Sequence, residues 1–215
     1  IDDVRIDCTE YRLGFRDITN STNERTFISA VLPAGVVCED TLQTFRPFEL
    51  DVEKSDLKNT PLHSVYVRRF TDRELFAATG LLNSIPFDFL LGTKIDTHIS
   101  KYKLEESQVP RLTEGENWFE YIAERAAQLN CYGDAFEEIR DRLGGIEAAS
   151  ERDERRQLQA EIDAAAFHAY GLEHQDVKFI LDDFHRVQQP RMMTDEYFDT
   201  VLDVYDFLTE TGPHP

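Results

Sequence analysis

The sequence contains few cysteines and none of the motifs that mark common enzymes. Cys8, Cys38 and Cys131 are far apart and form no CxxC pair, which argues against a disulfide framework and against a zinc site. The sequence has no GxGxxG or GxxxxGK[ST] loop for a nucleotide, no HExxH or EF-hand pattern for a metal and no GxSxG elbow for an acyl nucleophile. We therefore expect a chain without catalytic residues, a metal or a cofactor of its own.

Long apolar runs are also missing. No stretch approaches the roughly 18 to 20 apolar residues that span a bilayer, and the N-terminus, Ile1-Asp2-Asp3, has neither the basic nor the apolar region of a signal peptide. We therefore expect a cytoplasmic protein without membrane contact. Because the chain starts at Ile1 and not at methionine, we also expect it to be a segment of a longer protein.

Lysine is scarce, and acidic residues are in large excess. Lysines number 6 among 23 basic residues, against 42 acidic residues, and the formal net charge is −19. Residues 1–112 contain 18 acidic and 14 basic side chains, whereas residues 113–215 contain 24 and 9. This composition is typical of a halophilic protein that stays soluble at high salt. The alternative is an acidic surface that binds a protein partner.

The order of patterns predicts an α+β fold with a strand-rich N-terminal half, a kinked apolar helix and a mostly helical C-terminal half. Alternating Tyr11, Leu13 and Phe15 indicate a strand, and "TFISAVLPAGVV" and "LHSVYVRRF" are typical of two more. We expect a mixed α/β region over residues 1–112 and a helical, acidic region over residues 113–215.

One helix has a clear predicted start and a predicted break. Thr71 and Glu74 fit a capping box before a very apolar run, and Pro86 should kink that run or divide it in two. Leu82 and Phe89 lie on one face of the run, so we expect both to be buried. Residues 93–112 are then expected to be extended.

The polar stretch "NSTNERT" is the first candidate for DNA recognition. The amide and guanidinium groups of Asn20, Asn23 and Arg25 are of the type that binds adenine or guanine edges, and the hydroxyls of Thr22 and Thr26 can donate to phosphate. We add Arg16, which precedes the stretch. The alternative is a hairpin turn, because Asn, Ser and Thr fill turns for backbone reasons alone.

The stretch "KIDTHISKYK" is the second candidate. Half of the lysines of the chain lie in these ten residues, which favours contact with a polyanion over a neutral loop. The residues singled out here are Lys94, Thr97, His98, Ser100, Lys101 and Lys103.

Three blocks together carry a family resemblance. "LGFRDITNSTNERTFISAVLP", "LLNSIPFDFLLGTKIDTHISKYKLEESQVPRL" and "AEIDAAAFHAYGLEHQDVKFILDDF" occur in this order and span most of the chain. In this order they resemble the C-terminal region of adenine-specific DNA methyltransferases of restriction-modification and related phage-defence systems, including the large single-chain type II enzymes.

The resemblance implies a target recognition domain that binds double-stranded DNA. In that family the N-terminal part binds S-adenosylmethionine and holds a flipped adenine with an (N/D/S)PP(Y/F) motif. This chain has no such motif, since Ile85 replaces the first proline in "NSIPFD". The cofactor and the catalytic step are therefore expected in a methyltransferase domain of the same parent protein, which leaves open whether the parent also cleaves DNA.

Two other functions stay open on the sequence. The acidic helical half could be a protein–protein interaction module, and the chain could be a complete enzyme of an unrecognised type. Arg25 likewise has three possible roles. It could bind a guanine edge, bind a phosphate, or form a structural ion pair with Glu24 or Asp17.

Overall fold

A computed structural model describes residues 6–20, 23–50, 52–53, 55, 58, 60–61, 65–95, 97–184 and 189–214. The described part is an α+β protein with its strands in the N-terminal half and most of its helices after them, which confirms the predicted fold class. The strands are β1 (Arg12–Arg16), β2 (Ser29–Leu32), β3 (Leu42–Thr44), β4 (Phe48–Leu50) and β5 (Tyr66–Arg68). The helices are α1 (Asp72–Leu82), α2 (Ile85–Gly92), α3 (Lys101–Glu105), α4 (Asn117–Asn130), α5 (Glu137–Arg142), α6 (Arg152–Ala169), α7 (His174–Asp183) and α8 (Asp195–Thr211).

The strands form two small antiparallel sheets. The first has the order β2-β1-β3, so that Gly14 in β1 lies opposite Ala30 in β2 and Thr44 in β3. The second pairs β4 with β5. Tyr11, Leu13 and Phe15 are all buried, and the glycine between the last two admits the Leu32 side chain, which a Cβ at residue 14 would meet at 2.6 Å.

Two asparagine side chains take the place of a further strand beside β2. Asn83, at the end of α1, accepts a hydrogen bond from the Ser29 N–H and donates one to the Ser29 carbonyl, both at 2.9 Å. Asn130, the last residue of α4, accepts one from the Val31 N–H at 3.1 Å. Because these amides satisfy polar groups that an edge strand would otherwise expose, they bind the sheet to the helices and protect its edge.

The predicted start and break of the apolar helix are both confirmed. The Thr71 hydroxyl accepts a hydrogen bond from the Glu74 N–H, and the Glu74 carboxylate accepts one from the Thr71 N–H at 2.7 Å. The helix ends at Leu82, and α2 begins at Ile85 with Pro86 in its first turn. Among the described residues, no single helix is long and apolar enough to cross a membrane. Taken together, α1 and α2 have the length and composition of a membrane span, but they are bent by 59° relative to each other.

The helices and the larger sheet share one hydrophobic core. α1 packs on β2 and α4, α4 packs on α6, and α6 packs on α8. The same core therefore includes Phe27 and Phe87 from the N-terminal half and Ile122, Phe167 and Val201 from the C-terminal half.

Two expectations are wrong. Residues 101–105 are helical and not extended, because the Ser100 hydroxyl caps the N-terminus of α3 and Leu104 is buried beneath it. Leu82 is buried as expected, but Phe89 is only half-buried. The break before α2 rotates the helix surface so that Phe87 and Leu91 face the core instead.

Candidate nucleic-acid interface

The structure brings the two candidate segments side by side. Ile18 and His98 form an antiparallel bridge. On either side of it, the Thr19 N–H donates to the Thr97 carbonyl at 3.0 Å and the Ile99 N–H donates to the Asp17 carbonyl at 2.9 Å. Segments that are about eighty residues apart in the sequence therefore form one continuous surface. We name its accessible part the bridge surface, which consists of Arg16, Asn20, Asn23, Thr26, Lys94, Thr97, His98, Ser100, Lys101 and Lys103.

Most of the residues singled out from the sequence are accessible there. Seven are exposed, namely Asn20, Asn23, Lys94, Thr97, His98, Ser100 and Lys101. Arg16, Thr26 and Lys103 are half-buried, and Thr22 lies outside the described residues.

The basic side chains of the bridge surface have weak partners. The Lys94 ammonium donates to the Glu106 carbonyl at 3.2 Å, and Lys101 lies 3.5 Å from the Glu105 carboxylate with both side chains largely exposed. His98 lies 3.2 Å from Asp17. Exposed pairs of this kind contribute little to stability, so a phosphate could replace these partners at little cost.

Some polar groups of the loop form hydrogen bonds with one another. Arg16 donates to the Arg25 carbonyl at 3.1 Å. The Thr19 hydroxyl accepts long hydrogen bonds of 3.5 Å from Arg16 and Asn23, and the Asn23 N–H donates to the Asn20 carbonyl at 2.9 Å. These contacts are what the hairpin-turn alternative predicts, and they also fix the loop that presents Asn20 and Asn23.

Arg25 is not part of the bridge surface. Its side chain is only 11% exposed, its Nε lies 3.3 Å from the Asp88 carboxylate, and its Nη2 donates to the Asn83 carbonyl. Burial alone would lower the pKa of Arg25, but Asp88 and then Asp163 raise it. We therefore assign Arg25 to the structural alternative, although its partner is Asp88 and not Glu24 or Asp17.

Asp88 binds the start of the segment that leads into β2. Its carboxylate accepts hydrogen bonds from the Thr26 N–H at 3.1 Å and from the Phe27 N–H at 2.6 Å, in addition to its ion pair with Arg25. It is 2% exposed. One carboxylate in the apolar helix α2 thus fixes the end of the polar loop.

A second buried carboxylate lies close to the first. Asp163 in α6 accepts hydrogen bonds from the Ile85 N–H at 2.8 Å and from the Tyr197 hydroxyl at 2.5 Å. Burial raises the pKa of Asp163, against the opposing effects of Arg25, Tyr197 and Ile85. Burial and the nearby Asp163 also raise the pKa of Tyr197 well above its usual value. We name Arg25, Asp88, Asp163 and Tyr197 the buried polar cluster.

Glu24 connects the same loop to the segment before α8. Its carboxylate accepts hydrogen bonds from three successive backbone N–H groups, those of Arg191, Met192 and Met193, at 2.6, 2.7 and 3.0 Å. Desolvation would raise the pKa of Glu24, but these hydrogen bonds outweigh it, so the pKa is lowered. The loop is therefore anchored on both sides, by Glu24 and by Arg25.

Replacement of Glu24 by glutamine is expected to lower the free energy of unfolding by about 1 to 2 kcal/mol at pH 7, because a neutral amide with one acceptor replaces a charged acceptor of three N–H groups. Since the folded pKa is below the ordinary 4.5, this stabilisation is present above pH 4.5 and is lost as the pH falls through the folded pKa.

Urea denaturation from pH 7 to pH 3.5 would measure this effect. The difference between the wild type and Glu24→Gln should shrink below pH 4.5, whereas exposed Glu210 in α8 provides a control, Glu210→Gln, that should change stability little at any pH. A Glu24→Gln difference that stays constant over this range would contradict the assigned anchor.

The buried polar cluster was missed by sequence reasoning. The signal for it was present, because Asp88 and Asp163 are single carboxylates in the apolar runs "IPFDFLLG" and "IDAAAF", and a carboxylate on a buried helix face needs a partner. The sequence does not show that this partner is Arg25, since the pairing joins residues that are 63 positions apart.

Comparisons with protein families, with curated proteins and with solved structures find no match to this chain. Its function must therefore be argued from its own residues.

Proposed function

We propose that the chain is the DNA sequence-recognition domain of an adenine-specific DNA methyltransferase or restriction-modification enzyme. The observation that carries the proposal is the bridge between Ile18 and His98, because it unites two segments that the sequence marks independently. Their exposed amides, hydroxyls and cations form the combination that reads base edges and holds phosphates.

The distribution of charge agrees with this proposal better than the total charge does. Residues 1–112, which supply the bridge surface, have 18 acidic and 14 basic side chains, whereas the large acid excess belongs to residues 113–215. Lys94 and Lys101 are exposed, and these side chains can reach phosphates without breaking buried contacts. Asn20 and Asn23, exposed in the adjoining segment, are the residues that we propose to read bases.

The proposal assigns catalysis to another part of the parent protein. S-adenosylmethionine and the flipped adenine would be held by a methyltransferase domain, because this sequence has neither a glycine-rich cofactor turn nor a PP(Y/F) motif. That domain and double-stranded DNA are the two partners that we propose for the chain.

The proposal predicts DNA binding that weakens as salt is raised. For a pool of random duplexes, the logarithm of the binding constant should fall linearly with the logarithm of salt concentration. Lys94→Ala and Lys101→Ala should each weaken binding and reduce the slope by about one, since each removes one phosphate contact. Fluorescence anisotropy of labelled duplexes over a salt series would measure both quantities.

Arg46 provides a matched control. Like Lys101 it is an exposed cation beside a carboxylate, 3.5 Å from Asp7, but it follows the end of β3 that lies away from Arg16. Arg46→Ala should leave the slope unchanged. A wild-type slope of zero, or equal effects of the Arg46 and lysine variants, would refute the proposed DNA-binding surface.

One observation favours the alternative of an acidic interaction module. Phe179 in α7 and Phe207 in α8 are exposed by 68% and 59%, and both helices are rich in acidic residues. A basic protein partner could contact such a surface through both charge and aromatic rings. In that case Phe179→Ser and Phe207→Ser would abolish partner binding, and no salt-dependent binding of DNA would be seen.

A further inference from the structure

A cleft of about 610 Å³ lies along β2, at the edge of the sheet where β2 has no neighbouring strand among the described residues. Its walls come from β2, α1, α4 and α6, and the segment before α8 forms one edge. This volume is within the range of about 300 to 1,000 Å³ that is typical of sites for small organic molecules. The cleft is separate from the bridge surface, although Arg25, Asp163 and Tyr197 of the buried polar cluster contribute to its lining.

The walls of the cleft are mainly apolar, and its opening is rich in sulfur and aromatic rings. Leu129 and Ile162 contribute to the walls, together with Met193. Tyr132 and Met192 are exposed by 65% and 43%. Thioethers and aromatic side chains adapt well to an aromatic ring, so the lining fits a compact aromatic molecule.

The lining contains a buried hydroxyl that has no partner among the described residues. The Ser29 hydroxyl is buried and makes no hydrogen bond to any residue in the described part of the chain, and Ser29 as a whole is 8% exposed. The neighbouring polar groups are already used, since Asn83 and Asn130 bind the β2 backbone. Because a buried hydroxyl without a partner costs free energy, it is a group that a ligand could satisfy.

A cation lines the same cleft. Arg155 uses Nη1 to donate to the carbonyls of Leu129 and Ala149, both at 2.9 Å. Within the described ranges, no carboxylate lies within 4.0 Å of its guanidinium. The adjacent Arg156 lies over the ring of Tyr197, 3.7 Å from its centroid, and Tyr197 also lines the cleft. In a chain of net charge −19, an arginine of the lining with no carboxylate within 4.0 Å among the described residues favours an anion. The Asp163 carboxylate also lines the cleft, but it already accepts hydrogen bonds from the Ile85 N–H and the Tyr197 hydroxyl.

We propose that this cleft binds a small aromatic molecule that carries one anionic group, such as a carboxylate or a sulfonate. The aromatic body packs between β2 and the helices, a polar atom of the ligand hydrogen-bonds to the Ser29 hydroxyl, and the anionic group pairs with Arg155. The proposal does not depend on the DNA-recognition role, since the cleft and the bridge surface use different residues for their contacts.

The probe for this site is 8-anilinonaphthalene-1-sulfonate, an aromatic anion whose fluorescence rises in apolar surroundings. The full 215-residue chain should bind it saturably with one site per chain. Gln159→Trp should abolish this binding, because residue 159 lines the cleft and is half-buried, and it lies one helical turn after Arg155 on the same face of α6, so that the indole fills the space beside Arg155. Val37→Trp adds the same group at an 81% exposed residue outside the cleft and should leave binding unchanged.

The neutral analogue N-phenyl-1-naphthylamine tests the role of charge. Arg155→Met should weaken binding of the sulfonate about tenfold or more and change binding of the neutral analogue much less. Met192→Glu places an acid at the opening and should have the same selective effect. Because Met192 is exposed, this variant should fold even if Gln159→Trp or Arg155→Met does not, as near-ultraviolet circular dichroism would show.

Three results would overturn the proposal. The first is binding of the sulfonate that does not saturate, which marks general apolar surface. The second is saturable binding that folded Gln159→Trp retains or that Val37→Trp also loses. The third is a loss in Met192→Glu that is equal for the charged and neutral probes, since the cleft would then have no preference for an anion.

Discussion

Replacement of Asp88 by alanine is expected to lower the free energy of unfolding by about 3 to 5 kcal/mol, because removal of one partner leaves a buried charge uncompensated. The change would leave the Arg25 guanidinium, which is 11% exposed, without its carboxylate. It would also remove the acceptor of the Thr26 and Phe27 N–H groups. Denaturation in urea with a circular-dichroism readout would measure the loss.

A double-mutant cycle separates the ion pair from these backbone contacts. Arg25→Met and Asp88→Ala should together cost clearly less than the sum of the two single changes, because the second change removes a charge that the first has already left unpaired. Asp182→Ala, at an exposed carboxylate in α7, should change stability by no more than about 0.5 kcal/mol. Additive effects of Arg25 and Asp88 would contradict the assigned pair.

Because Arg25 is buried, its substitution should affect DNA affinity only indirectly. As a base-reading residue it would alter affinity at one position of the site. As a buried partner of Asp88 it acts through the loop that presents Asn20 and Asn23. Arg25→Met should therefore lower stability first, and any change in DNA affinity should follow from displacement of the loop and not from a lost contact.

Local signals in the sequence predicted the local structure well. The capping box at Thr71 and the break at Pro86 were predicted because both depend on residues within one or two helical turns. The alternation of Tyr11, Leu13 and Phe15 predicted a strand, and β1 forms there. Helix α3 was not predicted, since five residues with a serine cap give too short a periodic pattern.

Long-range contacts could not be predicted in the same way. The proximity of residues 18 and 98 depends on how α1 and α2 turn the chain back toward β1. The sequence marked both segments as candidates through their composition, but no local pattern indicates that they meet. The partner of Arg25 could not be predicted for the same reason. Glu24 and Asp17 are near Arg25 in the sequence, whereas Asp88 is near it only in the folded protein.

The orientation of α2 determines which of its phenylalanines stabilises the fold. Phe87 is 0% exposed and lies edge-on to Phe27, with ring centroids 5.5 Å apart. Phe87→Ala should therefore lower the free energy of unfolding by about 3 to 5 kcal/mol, through lost burial and the cavity that remains. Phe89 is half-buried and meets the exposed Phe179 at 6.4 Å. Phe89→Ala should cost about 1 kcal/mol.

The two phenylalanines control for each other, because they have the same side chain, lie in the same helix and are two residues apart. If α1 and α2 were one helix that continued through Pro86, Phe89 would face the core. Because the helix breaks before Ile85, Phe87 faces the core instead. Urea denaturation of the two alanine variants distinguishes these registers. A larger loss for Phe89→Ala than for Phe87→Ala would show that the helix continues through the proline, and Asp88 would then face away from Arg25.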